Sequence, residues 1–254
     1  NNTSTEWSID NNAYPSVYQS SLDFSGSNYI DLGDNDNFSF GNASTDSAFS
    51  ISAWVNMTDA TNFVTIAKDS ISGREYVIRT LSADRLHFYL LDNSSNGYIG
   101  RISPAVTSNQ DTWIHTVYTY NGNSSSSGIK IYLNGSPVDN DDYQGGSYTA
   151  MENTSSALNI GRQARGGVYA NGEISNASIF NTELTLAQVQ TLYNNGTPAL
   201  NISSLSPASW YKLNNTNTGI IDLGSNGING TNNGATEYAG FVNALAGESS
   251  GMDS

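Results

Sequence analysis

Residues 113–135 read Trp113-Ile-His-Thr-Val-Tyr-Thr-Tyr120, then Asn121-Gly-Asn-Ser-Ser-Ser-Ser-Gly128, then Ile129-Lys-Ile-Tyr-Leu133 and Asn134-Gly135. The first and third runs are rich in β-branched and aromatic residues, which favour strands, whereas the second contains only residues that are common in turns. Asn-Gly is a preferred two-residue hairpin turn. This stretch therefore predicts strands over 113–120 and 129–133 that form a hairpin, with a second hairpin turn directly after them.

Alternating apolar and polar residues recur on both sides of this hairpin. The run 49–56 places Trp54 on one face and four apolar side chains on the other, which are Phe49, Ile51, Ala53 and Val55. Similar runs predict strands over 75–79, 85–91, 98–102, 157–160 and 173–180. Because the strands follow one another without intervening helices, we predict an all-β fold, an antiparallel two-sheet sandwich.

One segment has helical periodicity instead. Residues 186–193 (LAQVQTLY) place their apolar side chains on a common face, which comprises Leu186, Val189, Leu192 and Tyr193. Thr185 can cap the helix, and Gln188 completes a capping box three residues later. Asn195-Gly196 is a stop signal. We predict one short helix near 185–194 that packs against the sandwich.

The overall charge excludes several classes of partner. The chain has 254 residues, with nine Lys and Arg against 23 Asp and Glu, and a formal net charge of −14. A nucleic acid binder needs a basic surface, and an anionic membrane surface would repel this chain, so neither partner is expected. No stretch approaches the roughly 20 apolar residues of a membrane span. With zero Cys, the chain has no disulfides or thiolate metal sites.

The order of these segments resembles that of a laminin-G-like module, a member of the concanavalin A-like jelly-roll superfamily. The resemblance extends over about residues 20–195 and is carried by 21–33 (SLDFSGSNYIDLG), 49–55 (FSISAWV), 112–122 (TWIHTVYTYNG), 129–135 (IKIYLNG), 158–161 (LNIG) and 172–184 (GEISNASIFNTEL). It implies that the sandwich is a jelly roll. A narrower resemblance, to modules of marine bacteriophage structural proteins and bacterial surface proteins, rests on 38–41 (FSFG), 150–153 (AMEN) and 205–211 (LSPASWY).

The jelly roll is predicted to occupy residues 1–197. Residues 198–254 form a C-terminal extension, which either adds strands to the same sandwich or begins a second module. The first alternative is favoured, because a remnant of about 50 residues could hardly bury its own Trp and Tyr. The small, polar tail from about residue 244 is expected to be flexible.

The pattern of acidic residues argues against hydrolysis. Glycoside hydrolases use two carboxylates about 5–10 Å apart, and the superfamily usually places them two or four residues apart on one strand. Of the glutamates, at 6, 75, 152, 173, 183, 237 and 248, only Glu6 has an acidic neighbour at that spacing, Asp10, and these two lie outside the predicted strands. His87 and His115 lie in strand patterns, where a structural histidine is favoured over a catalytic base. We predict that the chain is not an enzyme, with a polysaccharide-degrading enzyme as a remote alternative.

Calcium is the one metal that the sequence suggests, since oxygen ligands are plentiful in two acidic loops. The candidate ligands are Asp34 and Asp36 in the first loop and Asp139, Asp141 and Asp142 in the second. The alternative is that both loops are solvated turns. The resemblance argues against a pentraxin-type calcium site, because Arg162 and Arg165 follow Ile160-Gly161, where those relatives place acidic ligands.

The same arginines suggest a binding surface. Arg side chains recognise carboxylates and sugar hydroxyls, and Tyr offers an apolar face with a hydroxyl group. Two long loops, 136–156 and 162–172, contain the candidate ligand-binding residues Tyr143, Tyr148, Arg162, Arg165 and Tyr169. The alternative is that these rings only pack the loops onto the sandwich.

These observations favour a non-enzymatic module on a virion or a cell surface, outside the cell, such as part of a phage tail, fibre or capsid appendage. Its expected partners are a host cell-surface polysaccharide or glycoprotein, neighbouring virion or surface-assembly subunits, and a second copy of the chain. The alternative is a purely structural decoration or spacer protein that assembles with other proteins and binds no sugar.

Overall fold

A computed structural model describes residues 19–241 as two antiparallel β-sheets, a short β-hairpin and one α-helix. The strands are β1 (Gln19–Ser25), β2 (Tyr29–Asp31), β3 (Phe49–Met57), β4 (Val64–Ser70), β5 (Gly73–Leu81), β6 (Arg85–Leu91), β7 (Tyr98–Ala105), β8 (Trp113–Tyr120), β9 (Ile129–Leu133), β10 (Ser136–Pro137), β11 (Asp141–Asp142), β12 (Asn159–Ile160), β13 (Arg162–Gln163), β14 (Val168–Tyr169), β15 (Asn171–Phe180), β16 (Ser209–Tyr211), β17 (Thr231–Asn233) and β18 (Thr236–Phe241). The helix is α1 (Leu186–Tyr193).

The two large sheets form a sandwich. The first sheet has the order β10-β9-β8-β3-β15-β1-β18, and β16 also pairs with β15. The second sheet has the order β11-β7-β6-β5-β4-β12-β2-β17, and β13 and β14 form a separate hairpin. The predicted all-β class, with its antiparallel two-sheet jelly-roll sandwich and single short helix, is confirmed.

The core lies between the inner faces of the two sheets. Phe49, Ile51, Ala53 and Val55 are buried in it, and Trp54 is buried on the opposite face of β3, as the alternation predicts. Phe49 stacks on Phe40 with a centroid distance of 4.1 Å. Phe49 also packs edge-on against Phe88 of β6, at a centroid distance of 5.7 Å, so aromatic contacts link the two sheets.

The hairpin that the sequence predicts is present with the predicted bounds. β8 pairs with β9 from Tyr120–Ile129 to Thr116–Leu133. At the following turn Asn134 and Gly135 have φ values of 50° and 77°. Positive φ at both positions is the conformation of a type I′ turn, which explains why this dipeptide occurs here.

Helix α1 packs on the outer face of the first sheet. Val189 and Leu192 are buried there in a cluster with Val117, Tyr132 and Trp210. The predicted Thr185 cap and capping box are both present. Leu186 was assigned to the buried face, and that assignment is wrong, because its side chain is 44% exposed. Leu184, two residues earlier, is the buried leucine at this end of the helix instead.

The capping box provides a test of this helix. We expect Thr185→Ala to lower the free energy of unfolding by about 1 kcal/mol, because the backbone N–H of Gln188 loses its acceptor, the Thr185 hydroxyl. Urea denaturation measures the change. Thr191→Ala in the same helix is the control; its hydroxyl bonds only the Ala187 carbonyl, so little change is expected. Equal losses in both variants would contradict the capping role.

The C-terminal strands add to both sheets, and two of them pair with strands from the start of the chain. β16 pairs with β15, β17 with β2 and β18 with β1. Tyr211 and Leu213 are buried in the core between the sheets. The boundary at residues 197 and 198 stays a prediction, and the tail from residue 244 lies outside the described residues. Within the described part of the chain, no helix is long and apolar enough to cross a membrane.

Candidate functional site

The outer face of the second sheet contains most of the predicted binding residues. Ile30 of β2 and Ile78 of β5 face the core. Because side chains alternate along a strand, their neighbours Tyr29, Val77 and Arg79 lie on the opposite, outer face. The hairpin β13–β14 contacts β4 across this face. The sheet therefore provides a platform on which the hairpin is mounted.

A buried polar network fixes the hairpin to the platform. Oε1 of Gln163 accepts a hydrogen bond from Arg79, and its amide group donates one to Asp69. Nε of Arg165 lies 3.4 Å from Oδ1 of Asp69. Burial raises the pKa of Asp69, although Gln163 and Arg165 act in the opposite direction. Arg165, a predicted ligand residue, is thus partly engaged in holding the hairpin.

Three side chains form what we call the tyrosine–arginine cluster: Tyr29 of β2, Arg162 of β13 and Tyr169 of β14. Cζ of Arg162 lies 4.4 Å from the ring centroid of Tyr29 and 5.7 Å from that of Tyr169. The two ring centroids are 6.3 Å apart. Arg162 and Tyr169 are direct cross-strand partners, and all three side chains are partly exposed.

The Arg162 guanidinium has no carboxylate partner within residues 19–241, unlike the ion-paired Arg85, Arg101 and Arg165. Its buried Nε atom also has no hydrogen-bond partner there. Stacking on two rings holds the guanidinium plane in place through cation–π attraction. The cluster can therefore present unused N–H donors, two aromatic faces and two phenolic hydroxyls to a ligand with many hydroxyl groups.

Tyr143 belongs to a different aromatic group on the same outer face. Its ring centroid lies 4.9 Å from that of Tyr98, 5.0 Å from that of His87 and 5.5 Å from that of Tyr89. Burial lowers the pKa of His87 to about 4, so that its imidazole is neutral at pH 7. The ring packing ties the loop around Tyr143 to strands β6 and β7.

The Tyr148 side chain is held by a hydrogen bond to a carboxylate near the core. Its hydroxyl donates a 2.7 Å hydrogen bond to Oδ2 of Asp46, which also accepts one from Tyr120 at 2.8 Å. The backbone amide of Met151 donates to the other oxygen of Asp46. Tyr148 thus packs its loop against the core, which is the alternative that the sequence left open, and we leave it out of the proposed site.

The acidic residues that suggested calcium are engaged by other side chains. Asp139 and Asp142 both pair with Arg101, and Asp141 pairs with Arg85. In the first loop Oδ1 of Asp34 lies 3.1 Å from Nζ of Lys68, and Oδ1 of Asp36 accepts a hydrogen bond from Asn153. Among residues 19–241 no three such side chains are grouped in a way that could hold a metal. These carboxylates are thus engaged by cationic or amide groups, and calcium binding at the two loops stays a prediction.

Register pairing creates one pair of acidic residues that sequence spacing could not reveal. Asp23 of β1 lies directly opposite Glu173 of β15 on the outer face of the first sheet. Burial and then the charge of Asp23 raise the pKa of Glu173. Glycoside hydrolysis uses two carboxyl groups close together, so Asp23 and Glu173 are the candidate pair for such chemistry in the described residues.

Comparisons with known proteins agree with this architecture. Residues 24–190 match a laminin G family model of the concanavalin A-like lectin/glucanases superfamily. A protein of Bacteroides ovatus ATCC 8483, to which carbohydrate binding has been ascribed, shares 19% identity at a TM-score of 0.56 over 87% of this chain. This chain spans 60% of the length of that protein.

Two other solved structures are more distant. The heptameric SAP-like pentraxin of Limulus polyphemus has 15% identity and a TM-score of 0.47, over 88% of this chain and 93% of its own. The binding domain of botulinum neurotoxin DC, in complex with SialylT, has 22% identity and a TM-score of 0.42, over 58% of this chain and 35% of its own. No curated protein sequence matches the chain. Since the family model covers most of the sandwich, the chain belongs to the concanavalin A-like lectin/glucanases superfamily.

Proposed function

We propose that the chain is a non-enzymatic glycan-binding module and that the tyrosine–arginine cluster is its contact surface. The observation that carries the proposal is the Arg162 guanidinium, stacked on Tyr29 and Tyr169 without a carboxylate partner among the described residues. A rigid surface that combines aromatic faces with free hydrogen-bond donors suits a ligand rich in hydroxyl groups. Membership of a superfamily that contains lectins supports the same ligand class.

The resemblance to phage structural and bacterial surface modules supports a finer proposal about location. The module is displayed on a virion or a cell surface, where it contacts host polysaccharide or glycoprotein and docks on neighbouring subunits. Immunogold labelling of intact particles with an antibody against this chain tests the location. Absence of label from intact particles that contain the protein by mass spectrometry would contradict surface display.

Binding to a glycan array, with and without calcium, tests the site directly. We expect the wild-type chain to bind at least one host polysaccharide equally well in both conditions. Arg162→Ala and Tyr169→Ala are each expected to weaken that binding by about tenfold, the effect of losing about 1.4 kcal/mol of stacking and hydrogen bonding. Titration calorimetry with the best array ligand measures the change.

Two variants serve as matched controls. Tyr238 is another exposed tyrosine, but it lies on the first sheet, and Arg85 is ion-paired with Asp141. Tyr238→Ala and Arg85→Ala should leave the affinity unchanged. If no array glycan binds, the purely structural role in assembly is favoured instead. If all four variants weaken binding equally, the ligand contacts some surface other than the cluster.

The cross-strand pair Asp23 and Glu173 is the observation that supports the alternative function, a polysaccharide-degrading enzyme. We expect no release of reducing ends when the chain is incubated with the polysaccharides that it binds. Release that the Glu173→Gln variant abolishes would overturn the non-enzymatic assignment and identify Glu173 as an acid or base.

A further inference from the structure

Lys68 of β4 is fully buried and lies among oxygen atoms from three parts of the chain. Its Nζ atom is 2.9 Å from Oε1 of Glu75 and 3.1 Å from Oδ1 of Asp34. The backbone carbonyl oxygens of Ser156 and Thr154 lie 2.7 and 3.2 Å away. The Glu75 side chain is also fully buried, whereas that of Asp34 is 42% exposed. An amine is therefore held in contact with two carboxyl groups in an enclosed site.

A β-bulge brings Glu75 into this site. Lys68 pairs with Tyr76 and Asp69 pairs with Arg74, which leaves Glu75 as the extra residue between the two pairs. The bulge re-aims the side chain, so that Glu75 shares the inner side with the buried Tyr76. Burial raises the pKa of Glu75, against the opposing effect of Lys68. A carboxyl group of this kind can hold a proton that an exposed one would lose.

We propose that Lys68 and Asp34 join in an intramolecular isopeptide bond, with Glu75 as the proton relay. The reaction needs an amine and a carboxyl group held in contact, a neighbouring group that can accept and return a proton, and partial removal from water. Lys68 and Asp34 supply the reacting groups, and Glu75 lies on the amine. The exposed side of Asp34 gives the leaving water a path to solvent.

The step balances without any co-reactant. Glu75 takes one proton from the Lys68 ammonium, and the neutral amine attacks Cγ of Asp34 to form the N–C bond. Glu75 passes this proton to the departing carboxyl oxygen and then transfers a second proton from the attacking nitrogen to the same oxygen. The C–O bond breaks, and one water molecule leaves. An ammonium and a carboxylate become a secondary amide and water, so that charge, atoms and electrons are conserved and no group is oxidised or reduced.

Within residues 19–241, Lys130 forms the other lysine ion pair, which lacks the enclosure of the Lys68 site. Nζ of Lys130 lies 2.8 Å from Oε1 of Glu183, but these side chains are 46% and 29% exposed. Among the described contacts, Lys130 meets one carboxyl group, whereas Lys68 meets two. The Lys130 pair therefore serves as an internal negative control: no amide is expected between Lys130 and Glu183.

Intact mass spectrometry of the folded wild-type chain, after prolonged incubation at neutral pH, tests the proposal. We expect a mass below the sequence mass by one water molecule, and a proteolytic fragment in which the peptides of Lys68 and Asp34 are joined. An unchanged mass in the folded protein would overturn the proposal. So would a cross-link that joins Lys68 to any other residue.

Variants establish the roles of the three residues. Asp34→Ala and Glu75→Gln should both retain the full mass of their sequences, while the neighbouring Asp36→Ala, which does not contact Lys68, should still lose one water. Asp34→Asn should lose ammonia instead, because the leaving group is changed. Near-UV circular dichroism shows that each variant is folded. Loss of water by Glu75→Gln would overturn the relay role.

Discussion

Replacing Lys68 with methionine is expected to lower the free energy of unfolding by about 3–5 kcal/mol. Methionine fills much of the same space, so in chains that still have the full sequence mass, with Lys68 an ammonium, the effect comes from charge. Glu75 would be left with a fully buried carboxyl group and without the cation that lies 2.9 Å from it. The carbonyl groups of Ser156 and Thr154 would also lose their donor. Equilibrium unfolding in urea measures the loss, with wild-type chain of full sequence mass, in which Lys68 is still an ammonium, as the reference.

Lys130→Met is the matched control for this prediction. Its partner Glu183 is exposed enough to be solvated when the lysine is removed, so we expect a change of at most about 1 kcal/mol. The double variant Lys68→Met with Glu75→Leu should recover part of the lost stability, because no uncompensated buried charge remains. Equal losses in the Lys68 and Lys130 variants would contradict the importance of burial.

Strand positions were predictable wherever the alternation of residues is regular. β6, β8 and β9 have the bounds that the sequence predicts, and the Asn134-Gly135 turn lies where it was expected. β4 was missed, although it is central in the second sheet. Its polar residues Lys68 and Asp69 are buried, as are Val64, Ile66 and Ala67. A strand that is buried on both faces does not show the apolar–polar alternation of a half-exposed strand.

The candidate site was only partly predictable for a different reason. Arg162 and Tyr169 were identified because they lie in one loop, and the hairpin pairs them directly. Tyr29 was missed because it reaches them only through the pairing of β2 with β12. Tyr143 and Tyr148 have the same side chain but lie in other environments, set by the strands on which their loops pack. Local sequence does not encode such long-range neighbours.

Acid is expected to destabilise the fold because two histidines are buried in their neutral form. His115 of β8 is buried, with Nε2 2.8 Å from Oγ of Ser52 and an Nδ1 atom that has no partner among the described residues. Burial lowers its pKa to about 3, and that of His87 to about 4. In the unfolded chain both pKa values return to about 6.5. Below pH 6.5 the unfolded state therefore binds protons that the folded state does not.

The sign of the effect follows from this difference. Stability from each histidine is complete above pH 6.5 and is lost as the pH falls toward the folded pKa, at about 1.4 kcal/mol per pH unit. We expect His115→Gln, which can still donate to Ser52, to reduce the slope of unfolding free energy against pH by that amount between pH 6 and about 4.5. Urea unfolding at several pH values measures both slopes.

Buried carboxyl groups contribute a slope of unfolding free energy against pH that is opposite in sign to that of the histidines. The informative measurement is therefore the difference in slope between wild type and each histidine variant. Burial raises the pKa values of Asp46, Asp69 and Glu75, so that their ionisation destabilises the fold as the pH rises through those values. Neither His115→Gln nor His87→Gln alters these groups, and the acid term therefore cancels on subtraction from wild type. The difference in slope between wild type and His87→Gln should vanish below about pH 4. The difference in slope between wild type and His115→Gln should continue toward pH 3. The ring centroid of His115 lies 5.0 Å from that of Trp54 and 6.1 Å from that of Tyr193. If wild type and His115→Gln show identical slopes, water reaches the imidazole in the folded state, and these rings pack around it more loosely than the distances imply.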